Sequence, residues 1–221
     1  HYESTEKPGR LIAFGCSYTY GVGLPGCAEP RNNWSKTATT PSDRSWPFLV
    51  GELLNIPVFN QGVPGASNTE ILYHVLNFEF APGDTAVIMW TLPDRDAYFV
   101  SRTKNKKPFR PLALWAWGYS VYTNYWIKNI NERDNGIKSW LNMHHCELYL
   151  RSKQIKFVHF PVIPSELEKF KPDWIALTDY VNTGFEFIDE CANDNHPGPE
   201  SHKKTAQKVY EILTGPETLS S

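Results

Sequence analysis

The sequence predicts an α/β fold, a three-layer α/β/α sandwich around a central, mostly parallel sheet. Three observations lead there. Four short runs, β-branched or aromatic and bounded by turn residues, read as strands at 10–15, 56–60, 85–91 and 154–160. Segments of helical period lie between them. The 221 residues, 41% hydrophobic and 21% charged, suit one α/β domain with a sizeable core, so 1–221 is read as a single unit. Strands that alternate with helices need right-handed crossovers, which cover both faces of a parallel sheet.

Each element has its own local reason. The first strand, Leu11-Ile12-Ala13-Phe14, runs into Gly15-Cys16-Ser17 and breaks at Gly21. A helix is expected over 45–54, with Trp46, Leu49, Val50 and Leu53 at helical spacing and Pro47 tolerated in its first turn. Ser67 with Glu70 three residues on forms a capping-box signature, so a second helix is expected over 68–80. A longer one is expected over 124–152, interrupted near Asn135-Gly136, with Ile137, Leu141, His144 and Leu148 on one face. The last is expected over 199–213, with Ala206, Val209, Tyr210 and Leu213 inward and Gly215 as its stop. The stretch 95–125 breaks the alternation. It carries a basic patch (Arg102, Lys104, Lys106, Lys107, Arg110), then Trp115, Trp117, Tyr119, Tyr122, Tyr125 and Trp126. It reads as a long irregular insertion, too aromatic for a disordered loop. Its tryptophans could stack on sugar rings or enclose an acyl chain, or pack over the sheet edge or at a dimer contact.

Composition removes several classes of function. A net charge of −2 argues against a general nucleic-acid binder, which needs a basic face. No apolar stretch approaches the roughly 18 residues of a membrane span. The polar start, His1 to Pro8, carries no signal-peptide core, although the chain begins without methionine. Cys16, Cys27, Cys146 and Cys191 show no paired metal-ligand spacing. Scattered reduced thiols favour a cytoplasmic setting slightly. Neither a metal nor an organic cofactor is expected. Gly21-Val22-Gly23 lacks the third glycine of a phosphate loop, and no Gly-X-Ser-X-Gly elbow surrounds Ser17.

Chemistry concentrates in four segments. They are Gly15-Cys16-Ser17, Asn60 to Asn68, Met89 to Arg95, and Asp194-Asn195-His196-Pro197. A serine hydroxyl at the C-terminal edge of a parallel sheet lies where α/β proteins bind ligands. It becomes a nucleophile when an imidazole removes its proton, and a carboxylate on the other ring nitrogen orients that imidazole. The same residues have plainer readings: Ser17 as a helix cap, and Asp194-Asn195-His196 as turn chemistry. Cys16 points away from Ser17 by strand alternation and reads as a buried structural thiol. Of the remaining histidines, His74 and His159 read as packing or surface residues. His144 and His145 face different ways on a helix and cannot chelate one metal together, and His202 reads by default as a helix-surface residue, with assistance to His196 as the alternative.

In this order the four segments resemble the SGNH (GDSL-type) hydrolase superfamily, over the span from Leu11 to Leu213 but without the aromatic insertion. The resemblance implies the SGNH/flavodoxin-like form of the sandwich. It also implies a serine esterase with Ser17 as nucleophile, Asp194 and His196 completing a triad, and backbone N–H groups of Ser17 and Gly65 in the oxyanion hole. The sequence departs from the pattern in three places. Cys16 replaces an aspartate. The acid stands two residues before His196 rather than three, where Asn193 cannot serve, leaving Asp194 first and Asp189 as the alternative. No asparagine follows the third strand, so the third oxyanion donor falls to Thr91 or Arg95. The expected substrate is a small-molecule or glycan ester, with a short acyl group such as acetyl on a carbohydrate, bound by Trp115 and Trp117. Two rivals remain: an SGNH-fold binding or structural protein without activity, and an O-acyltransferase. Turnover of p-nitrophenyl acetate separates enzyme from binder, and an acceptor-dependent product separates transferase from hydrolase.

Overall fold

A computed structural model describes residues 9–27, 40–99, 109–113, 132–192 and 195–215; of residues 96–99 and 109–113 it describes the backbone. The elements run β1 (Leu11–Gly15), α1 (Ser17–Tyr20), α2 (Trp46–Leu54), β2 (Val58–Gly62), α3 (Asn68–Leu76), β3 (Thr85–Trp90), β4 (Arg95–Phe99) and β5 (Phe109–Ala113). They continue through α4 (Glu132–Ser152), β6 (Lys156–Pro161), α5 (Pro164–Glu168) and α6 (Pro199–Thr214). Four strands pair in parallel in the order β2-β1-β3-β6. The chain at Tyr180 adds a parallel bridge to His159 and so extends the sheet beyond β6.

Strand alternation explains the layers. Ile12, Phe14, Ala86, Ile88, Trp90 and Phe157 face one way and pack with α3 and α4. Leu11, Ala13, Val87, Met89, Val158 and Phe160 face the other way and pack with α2 and α6. Buried on both faces, β1 and β3 are continuous apolar runs, as a covered parallel sheet requires. This is the expected α/β/α sandwich.

Several boundaries differ from the sequence expectation, each for a tertiary reason. The second strand starts at Val58 rather than residue 56, because Asn55 closes α2 in the left-handed conformation and the Ile56 N–H still bonds back to Gly51. It then runs through the polar Asn60-Gln61-Gly62, which pair with Ala13-Phe14-Gly15. The helix expected to reach residue 80 ends at Leu76, and Phe78 and Phe80 fold back on the Phe14 ring at 5.6 and 6.1 Å. Helix α4 is continuous through Asn135-Gly136. Gly136 packs against the Phe170 ring, where a Cβ would lie 2.2 Å from it. The interval 95–125 is not irregular throughout, because β4 and β5 pair as an antiparallel ribbon separate from the main sheet.

The buried face of α4 is not the one that carries Ile137, Leu141, His144 and Leu148. Leu148 is 53% exposed, while Asn135, Ser139, Trp140, Asn142, Met143, Cys146, Glu147 and Leu150 are buried. Half of that stripe is polar, which hid it from an apolar-period reading. Partners make its burial tolerable. The Glu147 carboxylate accepts from the Thr178 hydroxyl at 2.6 Å and from Arg151 Nε at 3.2 Å. Trp90 Nε1–H donates to His159 Nδ1 at 3.0 Å, leaving the proton on Nε2, which faces Glu147 at 3.5 Å. Burial works to raise the Glu147 carboxyl, but the contacts from His159 and Thr178 prevail and lower it to about 2. Burial also holds His159 neutral.

Candidate active site

The C-terminal ends of β1, β2 and β3 carry three of the sequence-predicted segments. At the end of β1, Cys16 is the N-cap of α1 and Ser17 is its first residue. Helix α1 folds back over the strand closely enough that a Cβ on Gly15 would lie 2.1 Å from Thr19 Oγ1. Ser17 is 5% exposed. The Cys16 side chain is buried as expected, but in the layer of Leu11 and Ala13 with Trp46 and Phe160. The strand ends at Gly15, and its alternation, which would set Cys16 with Ile12 and Phe14, does not carry into the cap of α1. Its carbonyl accepts the N–H groups of Thr19 and Tyr20.

The second segment crosses directly over the first. The Val63 N–H bonds to the Gly15 carbonyl at 2.9 Å, and Ala66 N–H closes a turn on the Val63 carbonyl at 3.0 Å. Within that turn Pro64 precedes Gly65 at φ +79°, the arrangement of a type II turn, whose third position favours glycine. A Cβ on Gly65 would meet nothing within 4 Å. The glycine is therefore set by backbone conformation rather than by crowding from the protein.

The third segment is held by a residue that the sequence reading did not single out. Asn68 opens α3, next to the Ser67 cap whose hydroxyl accepts the Glu70 N–H. Its Oδ1 accepts the Thr91 N–H at 2.8 Å, and its Nδ2 donates to the Thr91 carbonyl at 3.1 Å and to Ser139 Oγ at 2.9 Å. Both backbone groups of Thr91 are thus clamped to the helix that follows the Gly65 turn. Since the Thr91 N–H is already engaged, only its hydroxyl is available as an oxyanion donor, and Thr91 is 2% exposed. Arg95, the other candidate donor, opens β4 beside Asp94. Burial raises the Asp94 carboxyl above the usual carboxylate range against the opposing charge of Arg95.

The fourth segment is a closed loop. The Cys191 N–H bonds to the His196 carbonyl, and the Gly198 N–H to the Asp189 carbonyl, both at 2.9 Å. The Cys191 thiol reaches the Pro197 carbonyl at 3.1 Å. Asp189 accepts from Ser201 Oγ at 2.7 Å, Ser201 N at 2.8 Å and Glu200 N at 3.1 Å. Those bonds satisfy orphan donors at the start of α6, so Asp189 anchors that helix. The loop brings the His196 ring to 5.7 Å from the ring of Tyr18, edge to face. Ser17 and His196, 179 positions apart in sequence, therefore share one end of the sheet. Asp194, Trp115 and Trp117 lie outside the described residues.

His202 corrects its sequence reading as a surface residue. It is fully buried, and its Nδ1 accepts the N–H of Trp46, the first residue of α2. It thereby caps one helix from within another. Burial, reinforced by nearby His196 and opposed by Asp189, lowers its pKa to about 4. No motif marked it, because capping by a distant imidazole leaves no local spacing. Among the described residues no group of three or more His, Cys, Asp or Glu side chains could hold a metal, and no helix is long and apolar enough to cross a membrane.

No protein-family model matches this chain, nor does any curated protein. Solved structures do. A protein assigned to the G-D-S-L lipolytic family from Desulfitobacterium hafniense superposes with a TM-score of 0.50 at 14% identity, over 92% of this chain and 99% of its own. The chain has the SGNH-hydrolase fold. An acetyl xylan esterase from the rumen bacterium Butyrivibrio proteoclasticus gives 0.52 at 13% identity over 93% of this chain, which spans 63% of that longer protein. A carbohydrate esterase whose active site is described as having divergent catalytic and non-catalytic binding functions gives 0.53 at 13%, over 96% of this chain and 67% of its own.

Proposed function

We infer that this protein hydrolyses carboxylic esters through an acyl-enzyme on Ser17. The observation that carries the reading is the meeting of Ser17 and His196 at one sheet edge, through the Tyr18–His196 ring contact. The esterase activities named for two of the similar structures support it.

In this reading His196 takes the proton of the Ser17 hydroxyl as its oxygen attacks the ester carbonyl carbon. The carbonyl oxygen becomes an oxyanion facing the N–H groups of Ser17 and Gly65 and the Thr91 hydroxyl. The bond to the alcohol oxygen then breaks, and the imidazolium returns the proton to the departing alkoxide. Water, deprotonated by His196, attacks the acyl-enzyme. The carboxylic acid leaves and Ser17 regains its proton. Asp194, two residues before His196, is the proposed orienting carboxylate. Short acyl esters, including acetyl groups on carbohydrate, are the proposed substrate class, with Trp115 and Trp117 as proposed binding residues.

Ser17→Ala tests the reading. Turnover of 4-nitrophenyl acetate should fall by about 10³-fold or more while the thermal transition stays put. A fluorophosphonate should label the native protein at Ser17 and fail on His196→Ala. Retention of more than about a tenth of the turnover by Ser17→Ala would remove Ser17 as the nucleophile.

A further inference from the structure

The Tyr18–His196 contact belongs to a longer row of rings. Tyr18 lies 5.4 Å from Phe185 and 5.5 Å from Phe187, and Phe185 and Phe187 are themselves 5.4 Å apart. The row begins in the core, where Phe185 is buried, and ends at the surface, where Phe187 is 53% exposed and Ile188 is 61% exposed. No other two consecutive residues among the described ones leave large apolar side chains this open.

The exposed end is not on a loose loop. The Glu186 N–H donates to Thr205 Oγ1 at 3.1 Å, and the N–H groups of Ile188 and Asp189 both donate to Ser201 Oγ, at 2.9 and 3.0 Å. Glu186 is also paired with Lys208. Three backbone N–H groups on either side of Phe187 are thus pinned to α6, and the one charged side chain among residues 185–188 is engaged with that helix. An apolar surface held rigid and open beside a candidate base is preorganised for a ligand, because little further ordering remains to oppose binding. It also exposes apolar area that folding alone would bury.

We propose that Tyr18 and Phe187 form a ledge that binds the alcohol half of the ester through an apolar face. This rests on the serine-hydrolase reading above. The assignment to the alcohol half follows from proton transfer. His196 must hand its proton to the departing oxygen, so the alcohol lies on the His196 side of Ser17, where the ledge is. The carbonyl oxygen faces the Gly65 turn instead. A C–H-rich face on the leaving group comes from an aryl or alkyl alcohol, or from one side of a pyranose ring; both meet an aromatic surface in the same way.

The test compares kcat/KM for 4-nitrophenyl acetate and for an O-acetylated xyloside, each divided by that for methyl acetate. Phe187→Ala should lower these ratios roughly tenfold, through KM rather than kcat, and Phe187→Tyr should restore them. A fall for the nitrophenyl ester alone identifies an aryl or alkyl alcohol; a fall for the xyloside identifies a pyranose face. Either supports the ledge. Unchanged ratios for both overturn it, as does a change that appears instead between methyl butyrate and methyl acetate, which would put the acyl chain there. A native protein that hydrolyses none of these esters and takes no fluorophosphonate overturns the esterase reading and the ledge with it. An active native enzyme indifferent to Phe187→Ala overturns the ledge alone.

Discussion

Acid should weaken this fold through His202, and the size of the effect follows from its surroundings. The ring is fully buried, and its Nδ1 lone pair holds the Trp46 N–H at 3.1 Å. Protonation would set an N–H against an N–H in a site without water contact. Burial accordingly lowers the pKa from 6.5 to about 4. An unfolded chain takes up this proton near pH 6.5, whereas the folded one resists until about pH 4, so the unfolded state binds more protons between those values. The contribution is complete above pH 6.5 and is lost as the pH falls toward 4. It amounts to about 3 kcal/mol in all, of which about 2 kcal/mol is gone by pH 5. His202→Asn removes the titration and keeps a side-chain acceptor for the Trp46 N–H. Urea unfolding at pH 7.5 and pH 5.0 should therefore show a smaller acid loss in the variant, by about 2 kcal/mol or roughly 1 M in midpoint. Glu147 and His159 titrate in both proteins and cancel in the difference. Equal acid losses in the two would refute the account of His202 as a cap that must stay neutral.

Two further outcomes are expected. Asn68→Ala leaves the Thr91 N–H and carbonyl without the partners they have now, at about 1–3 kcal/mol for each buried group, and should lower the thermal midpoint clearly. If the clamp also positions Thr91, kcat should drop with KM nearly unchanged, whereas Asn142→Ala, which breaks a different bond between α3 and α4, should affect stability alone. Cys16→Ala should keep most of the esterase activity while costing about 1 kcal/mol for the lost buried volume, and iodoacetamide should leave the native enzyme active. Rapid inactivation mapped to Cys16 would place a reactive thiol in the site instead.

The amino-acid sequence by itself determined the layered α/β architecture, because strand period, helix period and turn residues are local signals repeated along the chain. Through the resemblance of its short segments to the SGNH pattern it also pointed to Ser17, Gly65 and His196 as candidates. Tertiary structure decided what depends on partners far away. The buried stripe of α4 is half polar, and only the presence of Thr178, Arg151 and His159 makes Glu147 an inside residue. Asn68 reads as an ordinary first helical residue until Thr91, 23 positions on, supplies the backbone it clamps. Asp189 and His202 look like a spare acid and a surface histidine until α6 and α2 present their unpaired N–H groups. The ledge, too, exists only because packing turns Tyr18 and Phe187, far apart in the chain, toward each other beside His196. A lone residue's burial and bonding are properties of its neighbours in space, and spacing along the chain does not encode them.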